Sequence, residues 1–187
     1  MKNIFNVILI SLFSLTIYSC SSTSSTTTTD NSTTTGLFTV VGSGGTILTS
    51  SDGISWDNRT SGITDKIWGV TYGNSTFVAV GNSGNILTSS DGISWTSRTS
   101  GTTVTLYRVT FGNNIFVTVG GSGTILTSSD GTTWTSRTSG ITNSIWRVTY
   151  GNDTFVTGGG NGTILTSSDG TTWTSRTSGT SNYLNSV

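Results

Sequence analysis

The stretch GTILTSSDGTTWTSRTSG occupies residues 123–140 and recurs letter for letter at 162–179, with looser versions at 45–62 and 84–101. Its Asp falls at Asp52, Asp91, Asp130 and Asp169, a constant step of 39 residues. The Trp four residues later keeps the step at Trp56, Trp95, Trp134 and Trp173, as does the Arg at Arg59, Arg98, Arg137 and Arg176. Further series are Trp68, Tyr107 and Trp146; Tyr72, Phe111 and Tyr150; and Phe38, Phe77, Phe116 and Phe155. A fixed period near 40 residues predicts a repeat architecture, and four short strands per unit suit a propeller blade.

One unit shows the pattern. Residues 145–150 (IWRVTY), 155–157 (FVT), 163–166 (TILT) and 172–177 (TWTSRT) are β-branched and aromatic runs. Gly, Asn and Asp punctuate them, so they predict four strands joined as hairpins. No window after residue 20 carries the 3.6-residue period of a helix. The expected fold is therefore all-β: a β-propeller of four 39-residue, four-stranded repeats, standing alone or as part of a larger propeller. Asp-Gly at 52–53, 91–92, 130–131 and 169–170 predicts a turn, because Gly53, Gly92, Gly131 and Gly170 tolerate positive φ and the Asp can bond its own turn's amides. The Trp that follows is expected to pin that turn to the core.

SSDGISW at 50–56 and 89–95 and SSDGTTW at 128–134 and 167–173 resemble the Asp-box, or bacterial neuraminidase repeat, Ser-x-Asp-x-Gly-x-Thr-Trp, with one residue fewer between Asp and Gly. The unit with its VTYGN-x-TFV run also resembles propeller repeats of the photosystem II assembly factor type. The resemblance covers residues 36–187. It implies a propeller in which the Asp-box is a structural turn on the periphery, and a role in helping a membrane complex form.

Residues 36–187 number 152, four short of four full units. The run YLNSV (183–187) aligns with the first strand of a unit and is expected to complete the blade that FTVVG (38–42) begins. Three arrangements remain open: closure within one chain, two chains pooling blades in a homodimer, and a piece of a longer array.

The N-terminus predicts an address. Lys2 precedes an apolar run from Ile4 to Ile17, too short for an ordinary membrane-spanning helix. IYSC at 17–20 resembles a bacterial lipobox, which implies cleavage after residue 19 and lipid on Cys20. The organisation expected is a lipoprotein signal peptide at 1–19, a lipidated Cys20 with a Ser/Thr-rich tether over 20–35, and the repeat domain at 36–187. The tether cannot bury apolar surface to offset its chain entropy. The implied location is the bacterial cell envelope, at the outer membrane or cell surface.

Composition limits the chemistry. The chain has no His, no Glu, one Cys and zero formal net charge. A metal centre and any cofactor are therefore not expected, and neither is nucleic acid, which would need a basic patch. Sialidases, enzymes that carry Asp-boxes, require a Glu that is missing, and the four recurring Arg are expected to be solvated strand residues pairing with nearby Asp. No two Asp outside the turns form an acid–base pair, so no catalytic residue is assigned. The Gly-rich runs 42–45 and 120–123 lead into strands and predict turns rather than phosphate cradles. The positions that vary among repeats are better candidates for recognition: Trp68, Tyr107 with Arg108, and Trp146 with Arg147, an aromatic-plus-Arg combination common at interfaces. Two functions compete: a surface-tethered scaffold that binds protein, and a lectin-like module that stacks sugars on these aromatics.

Overall fold

The computed structural model describes residues 36–187. The expected signal peptide, Cys20 and the tether lie outside the described residues. Fifteen strands form four antiparallel sheets in chain order. Blade 1 contains β1 (Phe38–Val41), β2 (Ile47–Ser50) and β3 (Asp57–Arg59). Blade 2 contains β4 (Ile67–Gly73), β5 (Thr76–Gly81), β6 (Ile86–Ser89) and β7 (Thr96–Arg98). Blade 3 contains β8 (Leu106–Gly112), β9 (Ile115–Gly120), β10 (Ile125–Ser128) and β11 (Thr135–Arg137). Blade 4 contains β12 (Ile145–Gly151), β13 (Thr154–Gly159), β14 (Ile164–Ser167) and β15 (Thr174–Arg176). This is the β-propeller architecture that the 39-residue period predicts.

Local chemistry explains the connections. The first two strands of blades 2–4 meet through Asn74-Ser75, Asn113-Asn114 and Asn152-Asp153, all at positive φ. Two consecutive left-handed residues match the twist of a tight hairpin, and Asn and Asp tolerate that region best among residues with a side chain. Short 3-10 turns, such as Asn82–Gly84 and Gly121–Gly123, link the second strand to the third.

The core is not inside the sheets but between them. One cluster joins Val41 and Ile47 of blade 1 to Ile67, Val70, Ala79 and Leu87 of blade 2. A second joins Val78, Val80 and Ile86 of blade 2 to Leu106, Val109, Phe116 and Leu126 of blade 3. A third joins Val117, Val119 and Ile125 of blade 3 to Ile145, Val148, Phe155 and Leu165 of blade 4. Each blade thus has a trailing face that covers the leading face of the next, as expected for stacked repeats that cannot bury an apolar face alone. Gly73 and Gly112 make room for this. A Cβ on Gly73 would fall 2.1 Å from Cγ of Phe111, and one on Gly112 would fall 2.1 Å from Cγ of Tyr150.

The run 183–187 does not complete blade 1. That blade has three strands, and no pairing joins β1 to residues 183–187. Leu184 instead donates its N–H to the Gly159 carbonyl at 3.0 Å, as Ile67 does to Gly42 at 2.9 Å. Val187 and Leu184 lie over Gly158 of blade 4. Blade 1 keeps its leading face, the face that is covered in blades 2–4, open. Phe38 is 48% and Val40 46% exposed, whereas their counterparts Phe116 and Phe155, and Thr118 and Thr157, are fully buried. Repeat counting gives the number of blades but not the turn from one blade to the next.

Candidate functional site

The Ser-Ser-Asp-Gly segments build one motif four times. In blade 3, Ser128 Oγ donates to Asp130 Oδ1 at 2.9 Å and accepts from the Gly131 N–H at 2.8 Å. Asp130 Oδ1 also accepts from the N–H groups of Thr132 and Thr133 at 2.8 and 2.9 Å. The Trp134 indole N–H donates to the Gly131 carbonyl at 2.9 Å, and its ring lies 6.5 Å from Phe116. Trp95 and Trp173 repeat both contacts. Asp52, Asp91 and Asp169 repeat the carboxylate pattern. The connection is six residues long, not a two-residue hairpin; Asp, Gly and Trp close it from inside. Trp56 in blade 1 is 40% exposed because no preceding blade covers its turn.

These bonds stabilise the ionised carboxylates. The N–H groups of Ser94 and then Ile93 bring Asp91 down to about 2. Asp130 is held well below the ordinary carboxylate range, first by the Thr132 hydroxyl and then by the Thr133 N–H. Thr171 and Thr172 act on Asp169 in the same order. The N–H groups of Ser55 and Ile54 lower Asp52. Each carboxylate is committed to its own turn.

Contrary to the expectation from sequence, the recurring Arg do not generally pair with Asp. Only Arg59 does, with Asp57 at 2.9 Å, among the described residues. The common partner is a Thr on the neighbouring strand. Arg59, Arg98, Arg137 and Arg176 donate Nε–H to Thr49, Thr88, Thr127 and Thr166 at 2.7–2.8 Å. Position 57 becomes Thr in the other three units, so the acid is lost while the Thr remains.

The varied positions lie on β4, β8 and β12. These strands form one edge of their sheets, and β8 runs against both β4 and β12, which makes them innermost. Each carries a register shift at its second residue: Trp68 between Ile67 and Gly69, Tyr107 between Leu106 and Arg108, Trp146 between Ile145 and Arg147. A bulge leaves one residue unpaired and re-aims its side chain. The sheets therefore set three aromatics at one level, at the end where the inner strands begin.

Their surroundings are cationic and aromatic. Trp68 donates its indole N–H to Asn82 Oδ1 at 2.7 Å and meets Tyr107 edge-on with ring centroids 5.8 Å apart. The Lys66 ammonium sits 3.3 Å above the Trp68 ring centroid. Trp68 remains 41% exposed. Trp146 packs against Tyr183 at 5.0 Å, and Arg147 donates Nη1–H to the Trp146 carbonyl at 2.9 Å. Arg108 leans over the neighbouring strand at Gly69. Sequence reasoning missed Lys66 and Tyr183, which vary among repeats as the chosen residues do but stand two places earlier in the unit. Among the described residues no three His, Cys, Asp or Glu side chains gather as a metal centre.

No protein-family model matches the sequence, and no curated protein sequence matches it. Solved structures do. The structure described as YCF48 bound to D1 peptide aligns with a TM-score of 0.62 and 19% identity, over 79% of this chain and 52% of that one. YCF48 from Cyanidioschyzon merolae aligns with a TM-score of 0.53 and 18% identity, over 74% and 55%. The computationally designed Ika8 protein gives a TM-score of 0.57 and 13% identity, over 75% and 48%. The chain spans about half the length of these structures. At such identities the likeness is one of fold, and the fold is that of a β-propeller.

Proposed function

We propose that this chain is a non-catalytic propeller that holds a protein segment along its inner aromatic row, anchored at the bacterial cell envelope by lipid on Cys20. The observation that carries the binding role is the triple bulge. Three blades spend an irregularity to turn out Trp68, Tyr107 and Trp146, beside Lys66, Arg108 and Arg147. Aromatic rings ordered at low entropic cost next to cations suit an extended peptide with acidic side chains. The fold-level likeness to a propeller bound to a peptide agrees with this. Absence of Glu and commitment of the turn Asp to backbone amides argue against catalysis. Protein is favoured over glycan because the Lys66 ammonium already occupies a face of Trp68 on which a sugar ring would stack. Anchoring rests on the IYSC motif at 17–20.

The test is selection of residues 21–187 against a displayed library of random peptides, with a glycan array run in parallel. Peptides rich in Asp and Glu should emerge and lose at least about tenfold in affinity, or 1.4 kcal/mol, in Trp68→Ala and Trp146→Ala. Glycan binding lost in the same variants would replace this proposal with the lectin-like alternative.

A further inference from the structure

The two ends of the row of blades carry complementary faces of a kind the molecule already joins three times. At the junction of blades 2 and 3, Val78 and Thr76 cover the turn at Gly131, with Val78 Cγ2 3.1 Å from where a Cβ on that glycine would lie. At the junction of blades 3 and 4, Ile115 and Val117 cover Gly170 in the same way. Between blades 1 and 2, Leu37 covers Gly92. Val78 and Val117 are fully buried by this contact.

Blade 4 carries the same covering surface, and among the described residues Leu184 and Val187 lie against it at Gly158 with no strand of a following blade beside them. Val156 and Ile164, which match Val78 and Ile86, are only partly buried. Blade 1 carries the surface to be covered: Phe38, Val40 and Trp56 are exposed, and Gly53 meets no side chain of another blade. Among the described residues blade 1 also lacks an inner strand, whereas residues 184–187 lie on blade 4 at the place where an inner strand of a following blade begins.

We infer that a second copy of this chain closes the ring, the trailing face of blade 4 in each copy docking on the leading face of blade 1 in the other. Both junctions form at once, so the contact is head to tail yet closed, and growth stops at two chains. The internal registers Ile67↔Gly81, Gly69↔Val80 and Val70↔Ala79 give the pairing across the junction. Leu184 then lies opposite the second copy's Gly42, Ser186 opposite its Val41, and Val187 opposite its Val40. This supplies the missing fourth strand of blade 1 and pairs its bare edge, which otherwise invites uncontrolled association. The aromatic row becomes two rows around one axis.

The experiment is light scattering after size exclusion on residues 21–187, whose core clusters lie wholly within residues 41–173. The expected mass is that of two chains at tens of micromolar. Val156→Arg blocks one face and Phe38→Lys the other. Each should give one chain with an unchanged circular dichroism spectrum, and their equimolar mixture should recover a two-chain species through its single intact junction. A one-chain mass for the unmodified protein overturns the inference, as does a mass that climbs without limit. Folded variants that remain two-chain, or a mixture that stays single-chain, overturn it equally. If Val156→Arg unfolds, Thr154→Arg on the same face replaces it.

Discussion

Phe116 and Phe38 occupy the same place in two repeats and are the same residue, yet truncation to Ala should cost very different amounts. Phe116 is fully buried between Phe111 at 4.7 Å and Trp134 at 6.5 Å, roofed by Val78 and Val80 of the preceding blade. Its removal loses the transfer free energy and leaves a cavity that packed neighbours cannot fill, about 3–5 kcal/mol. Phe38 is 48% exposed, so only about half of its transfer term is at stake and no closed cavity forms. That is about 1 kcal/mol. The assay is urea unfolding followed by tryptophan fluorescence, in the Val156→Arg background so that a second copy does not cover Phe38. With a slope of about 2 kcal/mol per molar, Phe116→Ala should lower the midpoint by about 2 M and Phe38→Ala by about 0.5 M. Equal shifts would refute the claim that blade 1 exposes a face the other blades bury.

Thr39 stands where the other repeats have Val78, Val117 and Val156, and its buried hydroxyl has no hydrogen-bond partner. Thr39→Val should therefore raise stability by about 1 kcal/mol, readable as a higher urea midpoint. Gly112→Ala should destabilise by about 2 kcal/mol or more, since its Cβ would collide with Tyr150, whereas Gly151→Ala, with nothing within 4 Å, should stay within about 0.5 kcal/mol. The turn carboxylates make stability acid-sensitive. Asp91 titrates near 2 in the folded chain and about 3.9 in the unfolded one, and the other three turn Asp are also depressed. The unfolded chain thus takes up protons first, so their contribution is present above about pH 4 and lost as pH falls towards 2 and below. Urea midpoints should fall across that window, and Asp91→Asn should make the fall shallower; a flat profile would contradict the assigned bonds.

The strands and their order were legible because the Gly, Asn and Asp punctuation recurs with the aromatics, and four copies reinforce each signal. The Asp turn was legible in kind but not in length, because its closure depends on Ser128 and Trp134 as much as on Gly131. The bulges left a trace that went unused. Ile67 and Val70, Leu106 and Val109, and Ile145 and Val148 are apolar pairs three residues apart. A regular strand would put such a pair on opposite faces, and an extra residue between them puts both in the core. The Arg–Thr bonds were not legible, because residues ten apart meet only through the third-to-fourth strand register. The place of residues 183–187 was misjudged because sequence shows which strand of a unit they match, not which blade they lie on.

The role of the inner row is tested most directly by photo-crosslinking in cells. Benzoylphenylalanine placed at Tyr107 samples the bulged aromatic row, and at Ser136 it samples the exposed outermost strand of the same blade. The account predicts a discrete protein adduct from position 107 that disappears in Trp68→Ala, and none from position 136. Adducts from position 136 alone would contradict it, moving recognition from the inner strands to the outer edge of the blades.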